Sequence, residues 1–273
     1  MTRAGEVGSS SGPVVITGAD GHIGRALQAR LRDLPNEVRP VGRNDALEPA
    51  LAEAAAVIHL AGTLQAKDDS SYEDANVATV RNTVAAVAKG WSGRLLLLSY
   101  VGADPSSANA YLRTKGLAEQ LVLTAGMTSV VIQSTFVYGP PSDPGPSALP
   151  FIGAGRHTVP IIGDGRQLWA PVFVDDVVEA LTRTALNPRV APGTYGLGGP
   201  DVIPVDAFVA ALNRGHAVHE VHLPRAVARV VSHVVPGLSP TMVEVLAADS
   251  LPAAPLITDA LGLELTSLHE VYQ

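Results

Sequence analysis

The stretch "VVITGADGHIGRAL", residues 14–27, joins an apolar run to an amphipathic one through three glycines. "VVITG" at 14–18 reads as a buried strand, and Ile23, Leu27, Leu31 and Leu34 line one helical stripe. Gly18, Gly21 and Gly24 fall between the two, spaced G-x-x-G-x-x-G rather than G-x-G-x-x-G. Glycines at such a junction let the backbone approach a pyrophosphate, and the helix start offers unpaired N–H groups and partial positive charge. A tight strand–helix turn that binds nothing is the bland alternative. The position at the head of alternating strands and helices favours a dinucleotide.

Outward from this junction the alternation continues. Strands are predicted at 37–43, 56–62, 94–100 and 129–140, with helices at 22–34, about 47–55, 73–90 and 110–124. Such alternation means a parallel sheet with helices on both faces, with a third strand missing or vestigial after 37–43. After Tyr138 the chain is rich in Pro and Gly and reads as loop as far as about 170. "APVFVDDVVEALTRTAL" (170–186) reads as a strand running into a helix capped by Asp175 or Asp176. A last strand is expected at 194–199 and helices at 204–214, 224–235 and 239–248. The expected class is α/β: a Rossmann-type doubly wound parallel sheet with a small, mostly helical C-terminal cap. Residues 1–12 form a flexible tail, 13–140 the dinucleotide-binding core, and 141–273 the substrate loop, last strands and cap, with 170–200 returning to the sheet.

Composition narrows the function. The chain has 273 residues, 47% hydrophobic and 16% charged, enough for a sizeable core. A net charge of -7 without basic runs argues against nucleic acid or an anionic membrane as partner. No cysteine is present, so thiolate and disulfide chemistry are excluded. The eight histidines show no metal-ligand spacing. The start, "MTRAGEVGSSSG", has no signal-peptide core, and no apolar run reaches the ~18 residues of a membrane helix. A cytoplasmic protein with a small-molecule substrate is expected, with a homodimer allowed.

Two spots suggest chemistry. In "NAYLRTKG" (109–116), Tyr111 and Lys115 are four apart and share a helix face, as an acid–base pair would or as an ordinary first turn. At the end of the second strand stands Arg43, where an acid would select NAD, which favours the 2′-phosphate of NADP. Asp45, two residues on, keeps NAD open.

Together the motifs resemble the short-chain dehydrogenase/reductase superfamily, in its extended or atypical branch. The resemblance rests on "TGADGHIG" (17–24), "VIHLAG" (57–62), "NVATVRNTV" (76–84), "LLLLSYVGA" (95–103), "YLRTK" (111–115), "TFVYGP" (135–140) and "GDGRQLWAPVFVDDVVEAL" (163–181). Residues 200–273 look only loosely like complex-I-associated-subunit and NmrA-like members. The resemblance implies that Tyr111 exchanges a proton with a carbonyl or alcohol oxygen. Lys115 would lower its pKa and bond the nicotinamide ribose, and Asn76 would position a water near that lysine. It implies cofactor contacts from Gly18, Asp20, Gly21, His22, Ile23 and Gly24, and from Arg43. Leu60, Ala61 and Gly62, Tyr111 and Lys115, and Thr135 and Val137 would complete them.

Two departures stand out. The family often ends the fourth of these strands with two serines, the later one polarising the carbonyl; here the pair is Ser99-Tyr100, leaving Ser99 or nothing for that role. Gln133-Ser134 replaces a frequent Arg-Pro. His59 is expected to be a packed strand residue rather than a catalyst. The reading is an NAD(P)H-dependent oxidoreductase, a ketoreductase on a small, largely apolar substrate. A nucleotide-sugar epimerase of the same fold and a non-catalytic NADP-binding sensor or assembly subunit are the alternatives.

Overall fold

Five strands alternating with helical segments open the computed structural model, which describes residues 12–43, 45–87, 91–153, 158–215, 217–234 and 238–273. Strands β1 (Val14–Thr17), β2 (Val38–Val41), β3 (Ala56–His59), β4 (Arg94–Tyr100) and β5 (Thr128–Ser134) alternate with helices. These are α1 (His22–Leu31), α2 (Leu47–Leu51), α3 (Asp69–Tyr72), α4 (Thr79–Ala86) and α5 (Ala110–Leu123). Beyond them come β6 (Val137–Tyr138), β7 (Thr158–Ile162), β8 (Leu168–Trp169) and β9 (Val172–Phe173). Helix α6 (Val174–Leu186) then leads to β10 (Gly193–Leu197).

One sheet carries the strands in the order β10-β5-β4-β3-β1-β2, every neighbouring pair parallel. The sequence dictates this arrangement. β1 and β3 are buried at every position, so both faces must be covered, which parallel crossovers achieve. On one face Val14, Ile16, Ile58 and Leu96 pack against Leu27 of α1 and Val177 and Leu181 of α6. On the other, Val15, Val57, Leu95 and Leu97 meet Val80 of α4 and Ala118 and Val122 of α5. This is the Rossmann-type architecture expected. β2 ends the described sheet, in keeping with the missing third strand. Strand order reverses between β1 and β3, so a crevice opens there at the carboxyl edge.

The C-terminal third contains β11 (Ile203–Pro204), α7 (Val205–Leu212), β12 (His219–Leu223), α8 (Arg225–Val231), α9 (Pro240–Leu246), α10 (Ile257–Leu261) and α11 (Leu268–Val271). Its core is aromatic, with Phe136 stacked on Trp169 at 4.6 Å and Phe208 edge-on to Phe136 at 5.5 Å. The segment read as continuous loop holds β7, which pairs in parallel with β12. Pro160 hides the first strand from a sequence reading, and β12 is largely exposed and lacks apolar alternation. Helix α6 is not capped by Asp175 or Asp176: its N-cap is Phe173, and both acids lie in the first turn. Asp176 turns inward and accepts hydrogen bonds from Thr266 N and Oγ1 at 2.8 and 3.0 Å. The predicted helix at 73–90 is interrupted: Glu73–Ala78 is a π-helical turn between α3 and α4. Residues 88–90 and the expected tail at 1–11 lie outside the described residues.

Candidate active site at the carboxyl edge

The glycine junction divides its tasks. Gly18 has φ +70°, and a Cβ there would lie 2.7 Å from Ala61 N and 2.8 Å from Leu60 C. The turn therefore presses directly on the end of β3. At Gly24 a Cβ would collide with the carbonyls of Gly18 and Ala19, so this glycine seats α1 against the turn. Gly21 is different. It is exposed, meets only Gly18 O at 3.2 Å, and caps α1 without any side-chain hydrogen bond. The helix start is thus open, carries no acid in its first turn, and fits a pyrophosphate. Ile23 packs between the two large cores. His22 reaches across to the substrate side, its ring 3.2 Å from the Cβ position of Gly139, with Nδ1 3.4 Å from Asp143 Oδ2.

Beyond the end of β2, Arg43 is exposed and has no ion-pair partner among the described residues. Asp45 Oδ2 is occupied by Gly42 N at 2.7 Å. Asp20 is the second carboxylate here, its Oδ2 2.6 Å from the Cβ position of Gly42.

The end of β3 leads through Leu60, Ala61 and Gly62 to the π turn. A Cβ on Gly62 would stand 2.7 Å from Asn76 Oδ1. Asn76 is buried rather than on an exposed helix face. Its Oδ1 accepts from Thr63 N at 2.9 Å, and its Nδ2 donates to Thr63 O at 3.3 Å and to Thr114 Oγ1 at 3.1 Å. It therefore fastens the loop after β3 to α5, between Tyr111 and Lys115. A π turn sets one side chain out of α-helical phase and is frequent at functional sites.

Helix α5 begins with Asn109 capping Leu112 N at 3.2 Å. Tyr111 is buried among aromatic rings, 5.6 Å from Tyr100 and 6.2 Å from Tyr72. Ala110 and Val245 of α9 complete the enclosure. Burial, then the neighbouring phenols Tyr100 and Tyr72, push the Tyr111 hydroxyl well above its ordinary range. Lys115 is buried too, not a solvated charge, and its Nζ donates to Leu98 O at 2.7 Å. Loss of water pushes it down to about 8, opposed by the charge of Glu119. Helix α5 thus carries a neutral phenol one turn before a lysine whose pKa is lowered towards neutral.

Ser99 does not join this group. Along β4, Ser99 shares the α5-packed face of Leu95 and Leu97, while Tyr100 takes the opposite one. Ser99 Oγ is buried with no hydrogen bond of good geometry, and its hydroxyl comes close enough to the Glu119 carboxyl to lower that pKa. Glu119 instead accepts from Gln133 Nε2 at 2.9 and 3.1 Å, and burial raises its pKa. The Tyr100 hydroxyl pairs with Ser250 Oγ at 3.1 Å. Thr135 is buried with its hydroxyl on Ala170 O, and Val137 packs against both large cores. Tyr72, Tyr100, Glu119 and Ser250 escaped the sequence reading. Strand alternation from Leu95 carries the signal for Tyr100, and nothing local marks Ser250.

His59 is fully buried, its Nδ1 within 2.9 Å of Thr17 Oγ1 and 3.1 Å of Thr83 Oγ1. Burial first, then the Lys115 charge, holds it down at about 3 against an ordinary 6.5. Between those pH values the unfolded chain binds one proton more, so stability falls as pH drops from about 6.5 towards 3. The slope for one proton is about 1.4 kcal/mol per pH unit. His59→Gln should flatten the wild-type curve over this window in urea denaturations at stepped pH; parallel curves would show that His59 is not the group.

Residues 14–198 match the family model described as the NAD dependent epimerase/dehydratase family. The chain belongs to that family. This epimerase/dehydratase chain is 29% identical over 235 residues to "NADH dehydrogenase [ubiquinone] 1 alpha subcomplex subunit 9, mitochondrial" of Arabidopsis thaliana, covering 74% of the chain and 58% of the relative. A ceramide reductase of Caulobacter vibrioides is 26% identical, over 65% of the chain and 62% of the relative. The chain thus spans little more than half the length of these curated relatives. Among solved structures, MoeE5 in complex with UDP-glucuronic acid and NAD superposes with a TM-score of 0.74 at 21% identity, over 95% of this chain and 96% of that one, a likeness of fold. No helix among the described residues is long and apolar enough to cross a membrane. No group of three or more His, Asp or Glu among them is placed to hold a metal ion.

Proposed function

We propose that the chain is an NADP(H)-dependent reductase acting on the carbonyl of a small, largely apolar substrate. The observation that carries this is Tyr111, one helical turn before a buried lysine and enclosed by Tyr72, Tyr100 and Val245. A dinucleotide on the Gly21 helix start supplies a hydride when bound. The rest of the chemistry belongs to the chain. Tyr111 holds the proton that the carbonyl oxygen takes up. Lys115, with its pKa near 8, is mostly charged at neutral pH and favours the phenolate left behind. Asn76 fixes α5 to the loop after β3, which keeps the two in register with the cofactor.

An apolar substrate suits the surroundings of Tyr111, to which Leu64, Ala66 and Leu112 also contribute. A cavity of about 450 Å³ lies beyond Tyr72, whose hydroxyl is 3.4 Å from Ser239 on its wall. Ala66, Leu238, Pro240 and Met242 supply its apolar lining, and Gln65, Lys67, Ser232, His233 and Ser239 its polar lining. The name of the Caulobacter relative, a ceramide reductase, points the same way. NADPH oxidation followed at 340 nm against a panel of ketones, quinones and UDP-sugars tests the reading. Consumption with apolar ketones supports it. Conversion of UDP-sugars without net NADPH loss would give the epimerase reading instead, and inertness throughout would favour the sensor or assembly role.

Preference for NADP rests on Arg43. Removing a charged hydrogen bond costs about 1.5–3 kcal/mol, so Arg43→Ala should weaken NADP by that much and leave NAD nearly untouched. Calorimetric titration with both dinucleotides reads this directly; equal losses, or none, remove Arg43 as the selector.

A further inference from the structure

A carbonyl that receives hydride develops negative charge on its oxygen. One proton donor satisfies only one of the oxygen's lone pairs, and a second, pre-set donor is the usual source of further stabilisation. Ser99 lies against Glu119, about two helical turns along α5 from Tyr111, rather than at the Tyr111 ring. Two other phenols pack their rings against Tyr111, and each brings a hydroxyl. That of Tyr72 is already committed, donating to Leu64 O at 2.8 Å. Among the described residues that of Tyr100 meets only Ser250 Oγ, at 3.1 Å, and either atom of that pair can be the donor. Serine can thus donate to the phenol oxygen and leave the Tyr100 proton free to point at a ligand.

We propose that Tyr100, held by Ser250, is the second hydrogen-bond donor to the substrate carbonyl oxygen, beside the proton donor Tyr111. This rests on the reductase reading above. The tyrosine donates a hydrogen bond without giving up its proton: hydride reaches the carbonyl carbon, the proton comes from Tyr111, and Tyr100 is unchanged at the end. Burial raises the Tyr100 pKa, which keeps the phenol protonated and able to donate. The placement of Ser250 is firm. It is fully buried, its N–H donates to Leu168 O at 2.9 Å, and its carbonyl accepts from Ala170 N at 2.9 Å. The C-terminal third therefore contributes directly to the site. A consequence is that the donor pair consists of two phenols on neighbouring elements, Tyr100 closing β4 and Tyr111 opening α5.

The test uses the full chain loaded with NADPH and benzylacetone as a small apolar ketone. Tyr100→Phe keeps the ring and should lower kcat about 10²–10³-fold, the cost of one oxyanion donor, with NADPH affinity unchanged. Ser250→Ala should lower kcat less, and serves as the second variant should the first fail to fold. Ser99→Ala should lose less than Tyr100→Phe. An independent reading is the infrared carbonyl stretch of benzylacetone bound with oxidised cofactor, which should rise in frequency in Tyr100→Phe as a hydrogen bond is lost. Wild-type kcat and an unshifted stretch in Tyr100→Phe would overturn the proposal, as would a larger loss in Ser99→Ala. Full turnover in Tyr111→Phe is a separate result and would strike at the reductase reading itself.

Discussion

Tyr111→Phe is expected to lower turnover about 10²–10⁴-fold while cofactor affinity stays at the wild-type level, because general acid–base catalysis typically contributes that much. The substitution is conservative in every other respect. The phenylalanine ring keeps its contacts with Tyr72, Tyr100 and Val245. The Tyr111 hydroxyl has no hydrogen-bond partner among the described residues, so removing it orphans no buried group. Loss of rate without loss of fold therefore isolates the proton. Lys115→Ala behaves differently on the proposed roles: turnover falls and the cofactor weakens as well, and Leu98 O loses its donor. The two variants, measured by steady-state rates and calorimetry with the same ketone, separate a proton donor from an electrostatic partner. A Tyr111→Phe protein at full rate would mean that the proton comes from elsewhere, and the resemblance would then extend to fold and cofactor alone.

What the sequence made legible was periodic or local. The buried runs at β1, β3 and β4 and the glycine junction between β1 and α1 are short-range patterns, and they fixed the sheet, its parallel sense and the crevice between β1 and β3. Tyr111 and Lys115 were legible because their spacing equals one helical turn. The rest depended on contacts between distant segments. Ser250 is 150 residues from Tyr100, and no local feature marks it. The π turn at Glu73–Ala78 inserts a phase change that a 3.6-residue template cannot see, and Asn76 lies buried within it. The side of the sheet taken by Ser99 was in fact readable by counting from Leu95. In the C-terminal third, β7 and β12 were invisible because one contains a proline and the other is mostly exposed.

Gly21→Val is the second large effect, and the three glycines of the junction make it a clean one. Valine at this position needs no forbidden backbone: Gly21 has φ −69° and ψ 167°, an extended conformation open to any residue. Its Cβ would meet only Gly18 O at 3.2 Å, so the fold should tolerate the change. What the branched side chain occupies is the open approach to the start of α1, where the unpaired N–H groups are to receive the pyrophosphate. Denying two charged hydrogen bonds at about 1.5–3 kcal/mol each predicts a loss of about 3–6 kcal/mol of cofactor affinity, for NADP and NAD alike. That equality separates this variant from Arg43→Ala, which acts on one dinucleotide. Gly24→Val supplies the opposite control: its Cβ collides with the Gly18 and Ala19 carbonyls, so α1 must leave its seat and thermal stability should fall first. If Gly21→Val, still folded by circular dichroism, binds NADP as tightly as the wild type in calorimetry, the pyrophosphate does not lie on this helix start. The glycines would then serve only the close packing of α1 against β1 and β3, which Gly18 and Gly24 already explain, and Gly21 alone would be left without a reason.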